Sequence, residues 1–554
     1  MDDDPYRSAY RAAVLAKDPA RQAQLAAEPA ALVQPPEFAA SMGADAAVPV
    51  ERRRELLELA VSRQPSNIVL LMTLQGSYPG SKSTRDERLR WLQAAIAADP
   101  QNSGAYTNLG LALRDAGQDE AALACNRKAV ELNPRNSVAC NNLGAVLIDR
   151  GECEEALHWL ERSIEVFPRR VDAYTNRARA LYKLGRVDEA LDTYRRTLET
   201  FPDDAITHGN LGDVLKEQGR EDEAIASYRK AVLLDPRLVQ PYASLGDLLL
   251  AKGQVDEAAA WHRKAVELDP RSAFHHARLG AALRAQRRWD EAIACFHRSL
   301  VLDPQDDAYC GLGLTLKSAG RVAEAIPLLR KSLEFRPDFT PTIQALSGAL
   351  VTQGRTEEGL ALARRSVELA PHEAAAHLAL GNALHAAGEV EQASAAFMQA
   401  IDLDPQEDSA LHNLGATAFH RGKPEEALSW YRRATDANPQ IDQWQLDLAL
   451  TLQALGRHAE ARARFARSLE LDPNLACSHY NLGCYQQEDR RFDAAIASYR
   501  TALALDPDYA EAACNLSICL QNEGRFEEAL QDSRRGHELG SKRSNWSYPS
   551  AEWV

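Results

Sequence analysis

The sequence lacks the features that mark a membrane protein or a disulfide-linked secreted domain. No stretch of its 554 residues approaches the run of about 18 consecutive apolar side chains that a membrane-spanning helix needs. The opening segment MDDDPYRSAYRAAV is acidic and contains no apolar core of a signal peptide. The nine cysteines include no C-x-x-C pair, and nine is an odd number. We therefore expect a cytoplasmic chain with reduced thiols.

Aromatic residues and excess positive charge are also scarce. Only 6% of the residues are aromatic, and 79 acidic against 64 basic residues give a net charge of -15. An acidic chain repels the phosphates of nucleic acid, so we expect no nucleic-acid partner. Ala, Leu, Arg and Glu are abundant, and these side chains lose little rotamer freedom in a helix. The composition thus favours an all-α fold.

No catalytic or metal-binding signature is evident. The nearest is an incomplete P-loop in which Gly76, Lys82 and Ser83 have the expected spacing. Ser81 stands where the motif needs a glycine, so the backbone amides could not wrap a phosphate. His275 and His276 are adjacent on a predicted helix and cannot both face one ion. We expect no enzyme activity, no metal and no cofactor.

Prolines recur with a fixed period. Eleven of the twelve intervals are 34 residues, and the remaining one, from Pro304 to Pro337, is 33 because a residue is missing near Gln305–Asp307. Proline ends a helix, so each one marks a helix boundary. The series is Pro100, Pro134, Pro168, Pro202, Pro236, Pro270, Pro304, Pro337, Pro371, Pro405, Pro439, Pro473 and Pro507.

Each period has the same internal pattern, numbered here from Ser103 as position 1 of the first unit. Position 7 is Leu in twelve of thirteen units, position 8 is Gly in nine, and position 20 is Ala in twelve. Position 15 is Gly in eleven units, with Arg287 and Arg490 as the exceptions. The pattern predicts a helix A, a left-handed turn at position 15, and a helix B. Small residues at positions 8 and 20 allow the two helices to cross closely.

This pattern resembles that of the tetratricopeptide repeat proteins, whose W-x2-L-G-x2-Y…A-x3-F…P consensus these residues match. The resemblance implies an α-solenoid, a right-handed superhelix of about thirteen helix-turn-helix repeats over residues 103–540. It also implies a concave groove lined by the A helices. A lone unit could not bury its apolar face, whereas stacked units share a continuous core.

The two ends of the sequence depart from the repeat. Residues 51–102 contain a degenerate helix B ending at Pro65 and a degenerate helix pair ending at Pro100, as expected for capping repeats. Residues 1–50 are rich in Ala and Pro and predict short, weakly ordered helices. Residues 541–554 form a polar tail with Trp546, Tyr548 and Trp553. These rings either fold back over the last helix pair or dock on a partner.

A helical wheel predicts that positions 2, 5, 6, 9, 12 and 13 of helix A face the groove. Position 6 is the first candidate for binding. An amide side chain offers both a donor and an acceptor, so it can pair with the N–H and C=O of a peptide. A row of them resembles the repeat arm of O-linked N-acetylglucosamine transferases, which implies backbone binding of polypeptides. The alternative is that these amides bond to neighbouring helices or water. The asparagines are Asn108, Asn142, Asn176 and Asn210, followed after a gap by Asn413, Asn481 and Asn515.

A basic stretch in the middle of the array is the second candidate. Arg278, Arg284 and Lys317 fall on the predicted groove face of the sixth and seventh repeats. Acidic ligand segments would prefer this stretch, unless the charges are simply solvated.

These features predict a scaffold that binds extended segments of other proteins in the groove. A second interpretation is a non-catalytic targeting region of an enzyme. The segments DPYRSAYRAAVLAKDPARQAQLAAEP and GHELGSKRSNWSYPSAEWV resemble regions beside repeat arrays in bacterial (planctomycete) serine/threonine protein kinases. A third possibility is self-association through the terminal repeats.

Overall fold

The computed structural model describes residues 4–78, 84–304 and 306–542. Within these ranges the chain forms 32 α-helices and one short 3-10 helix, with no β-strand. The residues divide into two compact units, Met1–Pro270 and Arg271–Val554. The prediction of an all-α solenoid of paired helices is confirmed inside each unit.

The first unit carries the capping segments and the first five full repeats. Its α-helices in chain order are α1 (Pro5–Leu15), α2 (Pro19–Ala27), α3 (Pro36–Ala44), α4 (Val50–Arg63), α5 (Ile68–Gly76), α6 (Arg85–Ala98), α7 (Ser103–Asp115), α8 (Asp119–Leu132), α9 (Ser137–Asp149), α10 (Cys153–Val166), α11 (Val171–Lys183), α12 (Val187–Thr200), α13 (Ala205–Glu217), α14 (Glu221–Leu234), α15 (Val239–Ala251) and α16 (Val255–Leu268).

The second unit carries the remaining eight repeats. Its helices are α17 (Ala273–Ala285), α18 (Trp289–Leu302), α19 (Asp306–Ser318), α20 (Val322–Phe335), α21 (Thr340–Thr352), α22 (Thr356–Leu369), α23 (Ala374–Ala386), α24 (Val390–Leu403), α25 (Asp408–His420), α26 (Pro424–Ala437), α27 (Asp442–Ala454), α28 (His458–Leu471), α29 (Ala476–Glu488), α30 (Phe492–Leu505), α31 (Ala510–Asn522) and α32 (Phe526–Gly540).

The helix boundaries follow the proline period. Odd-numbered helices from α7 onward are the A helices, and each begins at position 1. Before α9, Asn133 is extended, Pro134 lies in the turn, and the side chain of Asn136 caps the helix by accepting from the amide of Ala139 at 3.1 Å. α19 begins two residues after Pro304 instead of three, which accounts for the one shorter interval.

The turn between helices A and B is left-handed at position 15 in all thirteen repeats. The eleven glycines have φ between 70° and 84°, and Arg287 and Arg490 adopt the same conformation at 59° and 58°. An L-residue with a side chain is strained there, so the repeat imposes this turn even where the sequence lacks glycine.

Close crossing of the paired helices explains the small residues at position 8. A β-carbon on Gly212 would lie 2.7 Å from Cε1 of Tyr228, the position-24 residue of the paired helix B. Aromatic or aliphatic side chains fill position 24 in most repeats. In the first repeat the residue is Asn126, which is fully buried, and neither its amide oxygen nor its nitrogen has a hydrogen-bond partner among the described residues.

The segment that precedes the repeats has a core of its own. Tyr10 is buried with Leu25 and Met42 between helices α1, α2 and α3. Its hydroxyl donates to Oδ2 of Asp45 at 2.6 Å, and its ring packs edge-on against Phe38 at 5.7 Å.

An ion-pair ladder runs along the B helices and was not anticipated from the sequence. At Glu358, Glu460 and Glu528 the glutamate at position 19 bridges two arginines, one at position 16 of its own repeat and one at position 25 of the repeat before. Glu358 accepts from Arg355 at 2.5 Å and from Arg330 at 3.0 Å, and Glu528 pairs likewise with Arg525 and Arg500. The ladder therefore connects consecutive repeats on their solvent side.

Two features singled out in the sequence fall outside the described residues. They are the Ser81–Lys82–Ser83 segment of the incomplete P-loop and the aromatic tail with Trp546, Tyr548 and Trp553.

Candidate functional site

The A helices of consecutive repeats pack side by side. Contacts link α7, α9, α11, α13 and α15 in the first unit, and α17, α19, α21 and α23 in the second. We call the surface formed by positions 2, 6, 9, 12 and 13 of these helices the A-helix face.

Position 5, which the helical wheel placed on the same face, is buried in the first five repeats. Thr107, Asn141 and Thr175 lie between adjacent A helices, and Asn141 donates from Nδ2 to Asp172 of the next A helix at 3.0 Å. The prediction that position 5 faces the groove is therefore wrong in this unit. The wheel considered one helix alone, whereas neighbouring A helices approach closely enough to enclose this position.

The four position-6 asparagines of the first unit lie in one register on α7, α9, α11 and α13. Asn176 donates to Oδ1 of Asn141 at 3.0 Å. The side chains of Asn108, Asn142 and Asn210 make no hydrogen bond to any described residue. Asn142 is the most enclosed, with 8% of its surface exposed. Three amides of the row thus remain available for groups outside the chain.

The three asparagines of the second unit are engaged internally. Asn413 donates to Oδ1 of Asn382 at 2.7 Å, and Asn515 donates to the hydroxyl of Tyr480 at 3.3 Å. Asn481 is only 6% exposed and donates to the carbonyl of Cys477 one turn earlier in its own helix. The two groups of asparagines therefore have different environments despite their shared repeat position.

Several charged groups on the A-helix face of the first unit bind groups of the preceding A helix. Arg179 pairs with Asp149 of the preceding A helix at 2.7 Å, and Nζ of Lys183 donates to the carbonyl of Ile148 at 2.9 Å. These contacts hold adjacent repeats together.

The basic residues of the second unit lie on α17 and α19. Arg278 is exposed, and its guanidinium covers the ring of Phe274 at 4.9 Å. Arg284 and Lys317 are half-buried at position 12 of their helices. Burial lowers the pKa of both Arg284 and Lys317 below the ordinary values of these groups. The predicted basic stretch thus contains two desolvated cations.

A third polar site lies between α11 and α12. Arg177 stands at position 7, which is Leu in the other repeats, and a cavity of about 520 Å3 opens beside it. Its guanidinium donates to Oγ1 of Thr193 at 3.3 Å and lies 3.7 Å from Glu161. Asp188, Glu189 and Asp192 complete the wall. Because these charges are internally matched, the site carries no clear ligand signal.

A stacked pair of rings in the second unit was not predicted from the sequence. His412 at position 5 of α25 lies parallel to Trp444 at 5.2 Å, and Nε2 of His412 is 2.8 Å from Oδ2 of Asp447. The three residues sit on adjacent A helices, and only the packing of those helices brings them together.

The described ranges contain no group of three or more His, Cys, Asp or Glu side chains placed to hold a metal ion. Nor does any helix in them combine the length and apolar character needed to cross a bilayer.

Family models match most of the array. Four models of the tetratricopeptide repeat cover residues 101–237, 409–436, 440–508 and 487–531. A model described as the cilia and flagella-associated protein 70 C-terminal domain covers residues 204–413. No curated protein matches the chain significantly.

Several solved structures share parts of the architecture. The APC/C hetero-tetramer Cut9–Hcn1 is 14% identical, with 83% of this chain and 98% of that chain covered and a TM-score of 0.42. MamA is 20% identical over 29% of this chain and 95% of that chain, with a TM-score of 0.28. YrrB, described as a TPR protein with an unusual peptide-binding site, is 24% identical over 34% and 96%, with a TM-score of 0.27. With TM-scores this low, the family assignment rests on the repeat models.

Proposed function

The chain is a tetratricopeptide repeat protein, and we propose that it acts as a scaffold that binds extended segments of other polypeptides on the A-helix face of its first unit. The observation that supports this most is the row of position-6 asparagines, in which Asn108, Asn142 and Asn210 have no hydrogen-bond partner within the described residues.

The amides of the row are not sealed inside the chain. Asn142 keeps 8% of its surface exposed, and neither of its amide atoms is among the fully enclosed side-chain groups that lack a partner. Solvent can therefore hydrogen-bond these amides in the free chain. A bound peptide would replace that solvent with main-chain donors and acceptors.

The spacing of the row suits an extended peptide. Packed helices lie about 8–10 Å apart, and an extended chain advances about 3.3 Å per residue, so one asparagine meets the peptide every three residues or so. In contacts of this kind the asparagines recognise the main chain of the peptide and not its side chains. The scaffold would therefore accept segments of varied sequence.

The proposed peptide-binding row does not include the asparagines of the second unit. Asn413 and Asn515 are tied to Asn382 and Tyr480, and the amide of Asn481 is bonded within its own helix. A ligand would have to displace these bonds before it could pair with the same side chains.

The experiment compares two sets of alanine substitutions on an array of unrelated peptides. The variant Asn108→Ala/Asn142→Ala/Asn176→Ala/Asn210→Ala should lose binding by tenfold or more, since each neutral hydrogen bond contributes about 0.5–1.5 kcal/mol. The matched control Asn413→Ala/Asn515→Ala removes amides that are already engaged and should bind like the parent.

Circular dichroism should show the same helicity in all three proteins. Parent-like peptide binding by the quadruple variant would refute the proposal, as would an equal loss in the control.

A further inference from the structure

Two cations in the second unit lie at the same repeat position without an acidic partner. Arg284 is position 12 of α17 and Lys317 is position 12 of α19. Neither makes a hydrogen bond or ion pair with a described residue, and burial is the leading influence on the pKa of each. Elsewhere in this unit, Arg421 pairs with Glu391 at 2.8 Å and Arg336 pairs with Asp307 at 2.6 Å.

Each cation borders a cavity. Arg284 lines one of about 360 Å3 together with Phe274, Phe296 and Phe339. Lys317 lines another of about 610 Å3 together with Pro341 and Gln344. Leu314 of α19 lines both cavities, so they adjoin.

Gly348 of α21 leaves room for the ammonium group of Lys317. A β-carbon at this residue would lie 2.7 Å from Nζ, closer than real contacts of this kind. The absence of a side chain on Gly348 therefore lets the Lys317 side chain lie across the next A helix while it keeps its charge at the cavity.

The other charged groups at these cavities do not neutralise the pair. Asp307 is the acidic residue of the first cavity, and its carboxylate is already held by Arg336. Arg278 adds a third positive charge at the rim, over the ring of Phe274. None of the described residues that line the second cavity is acidic. The two cavities together have a positive, partly apolar lining.

We propose that Arg284 and Lys317 form a subsite for an acidic polypeptide segment, in which two Asp or Glu carboxylates pair with the two cations while the intervening chain crosses Leu314. The inference rests on the proposed function in that the ligand is a polypeptide. The subsite lies on the second unit and selects a negatively charged ligand. The asparagine row lies on the first unit and does not discriminate between ligands by charge.

A peptide fits this surface better than a nucleic acid does. The net charge of -15 repels a polyphosphate from a distance, whereas a short segment with two carboxylates carries far less charge. The walls of Phe274, Phe339 and Leu314 offer apolar contact to the aliphatic parts of the ligand. Cations that are already desolvated lose little further hydration when a carboxylate binds.

The spacing of the acids follows from the packing of α17 and α19. Adjacent helix axes are about 8–10 Å apart, and two residues of an extended chain span about 7 Å with their side chains on the same side. The long Arg and Lys side chains cover the remainder. A Glu-x-Glu segment is therefore the simplest probe.

The test uses the full chain and two fluorescein-labelled peptides of Ser, Thr and Ala, one with a central Glu-x-Glu and one with Gln-x-Gln. Fluorescence anisotropy should give at least tenfold tighter binding for the acidic peptide. Arg284→Gln/Lys317→Gln should abolish that preference. The control Arg321→Gln/Arg355→Gln removes the same amount of charge, but from cations that are paired with Glu324 and Glu358. This control should keep the preference for the acidic peptide.

Each remaining outcome overturns the inference. Equal affinity for the two peptides, or an equal loss in the control, means that the two cations do not select acids. Binding of a thymidine oligonucleotide that depends on Arg284 and Lys317 means that the surface reads phosphates instead. The quadruple asparagine variant distinguishes the two proposals, because it should keep the acidic preference even if the asparagine row binds nothing.

Discussion

Gly144 of α9 lies directly against Leu160 of α10. A β-carbon at residue 144 would lie 2.6 Å from Cγ of Leu160, which is closer than two carbons can approach. Either the Leu160 side chain or the helix pair must therefore shift to admit a side chain at residue 144. We expect Gly144→Leu to destabilise the protein by about 1–3 kcal/mol through overpacking, measured as a lower urea midpoint.

The control for this substitution is Gly76→Ala at the end of α5. No atom lies within 4 Å of the β-carbon this change would add, so the urea midpoint should stay at or slightly above that of the parent. An unchanged urea midpoint for Gly144→Leu would contradict this prediction, because it would show that the helix pair accommodates the larger side chain without loss of stability.

Arg287 and Arg490 should be replaceable by glycine with a gain in stability. Both have φ near 60°, a conformation that costs an L-residue about 1–2 kcal/mol and glycine nothing. Glycine loses more freedom on folding, so we expect a net gain of about 0.5–1 kcal/mol per site. The reciprocal change Gly320→Arg should lower the melting temperature. Identical melting curves for all three variants would contradict this.

The ion-pair ladder should make stability depend on acid pH. Hydrogen bonds from Arg355 and Arg525 lower the pKa of Glu358 and Glu528 below the ordinary value of 4.5. A lowered carboxyl pKa stabilises the folded state above about pH 4.5, and that contribution is lost as the pH falls through the folded-state pKa. We expect Glu358→Gln/Glu528→Gln to lower the melting temperature at pH 7.

The difference from the parent should shrink as the pH falls below 4.5 and vanish below the folded-state pKa, where the carboxylates are protonated in both states. The control Glu357→Gln/Glu527→Gln changes the preceding residue in each helix, which makes no ion pair among the described residues. If the control has the same melting temperature as the ladder variant at every pH, the ion-pair ladder is not the cause of the pH dependence.

Lys317 should destabilise the free protein. Burial lowers its pKa from 10.5, so between the folded-state pKa and 10.5 the unfolded chain binds more protons and stability rises with pH. Below that window the cost of burying the charge is fully present. Lys317→Met should therefore raise stability at pH 7, on the order of 1 kcal/mol, and the gain should shrink above pH 10.

Lys331 supplies the opposite case for comparison. The hydrogen bond that Lys331 donates to Glu334 raises the pKa of Lys331, so Lys331→Met should not stabilise at pH 7. Urea titrations of both variants at pH 7 and above pH 10 check the pair. A gain for Lys331→Met equal to that for Lys317→Met would mean that added apolar surface is responsible.

Local sequence signals predicted the repeat well because they act within one helix pair. Pro134 and Asn136 set the start of α9, and the left-handed turn that the position-15 glycines predicted also occurs at Arg287. The A-helix face was harder to predict, because the exposure of a side chain depends on the next repeat. Asn141 and Asn142 are neighbours in sequence, yet one bonds to Asp172 and the other has no partner within the described residues.

The ladder and the unpaired cations share this dependence on neighbouring repeats. Glu358 reaches Arg330 across 28 residues, and Lys317 lies over Gly348 across 31. Neither relation is visible in a single 34-residue period. Both appear only when consecutive repeats are placed side by side.

Asn126 affects the order in which the repeats unfold. In a solenoid each repeat contributes its own stability and an interface with each neighbour, so local opening starts at the weakest member. The first full repeat holds an enclosed amide with two unmet hydrogen bonds where the next has Leu160. Helices α7 and α8 should therefore exchange their amide hydrogens before α9 and α10, and loss of structure would begin at this end of the repeats.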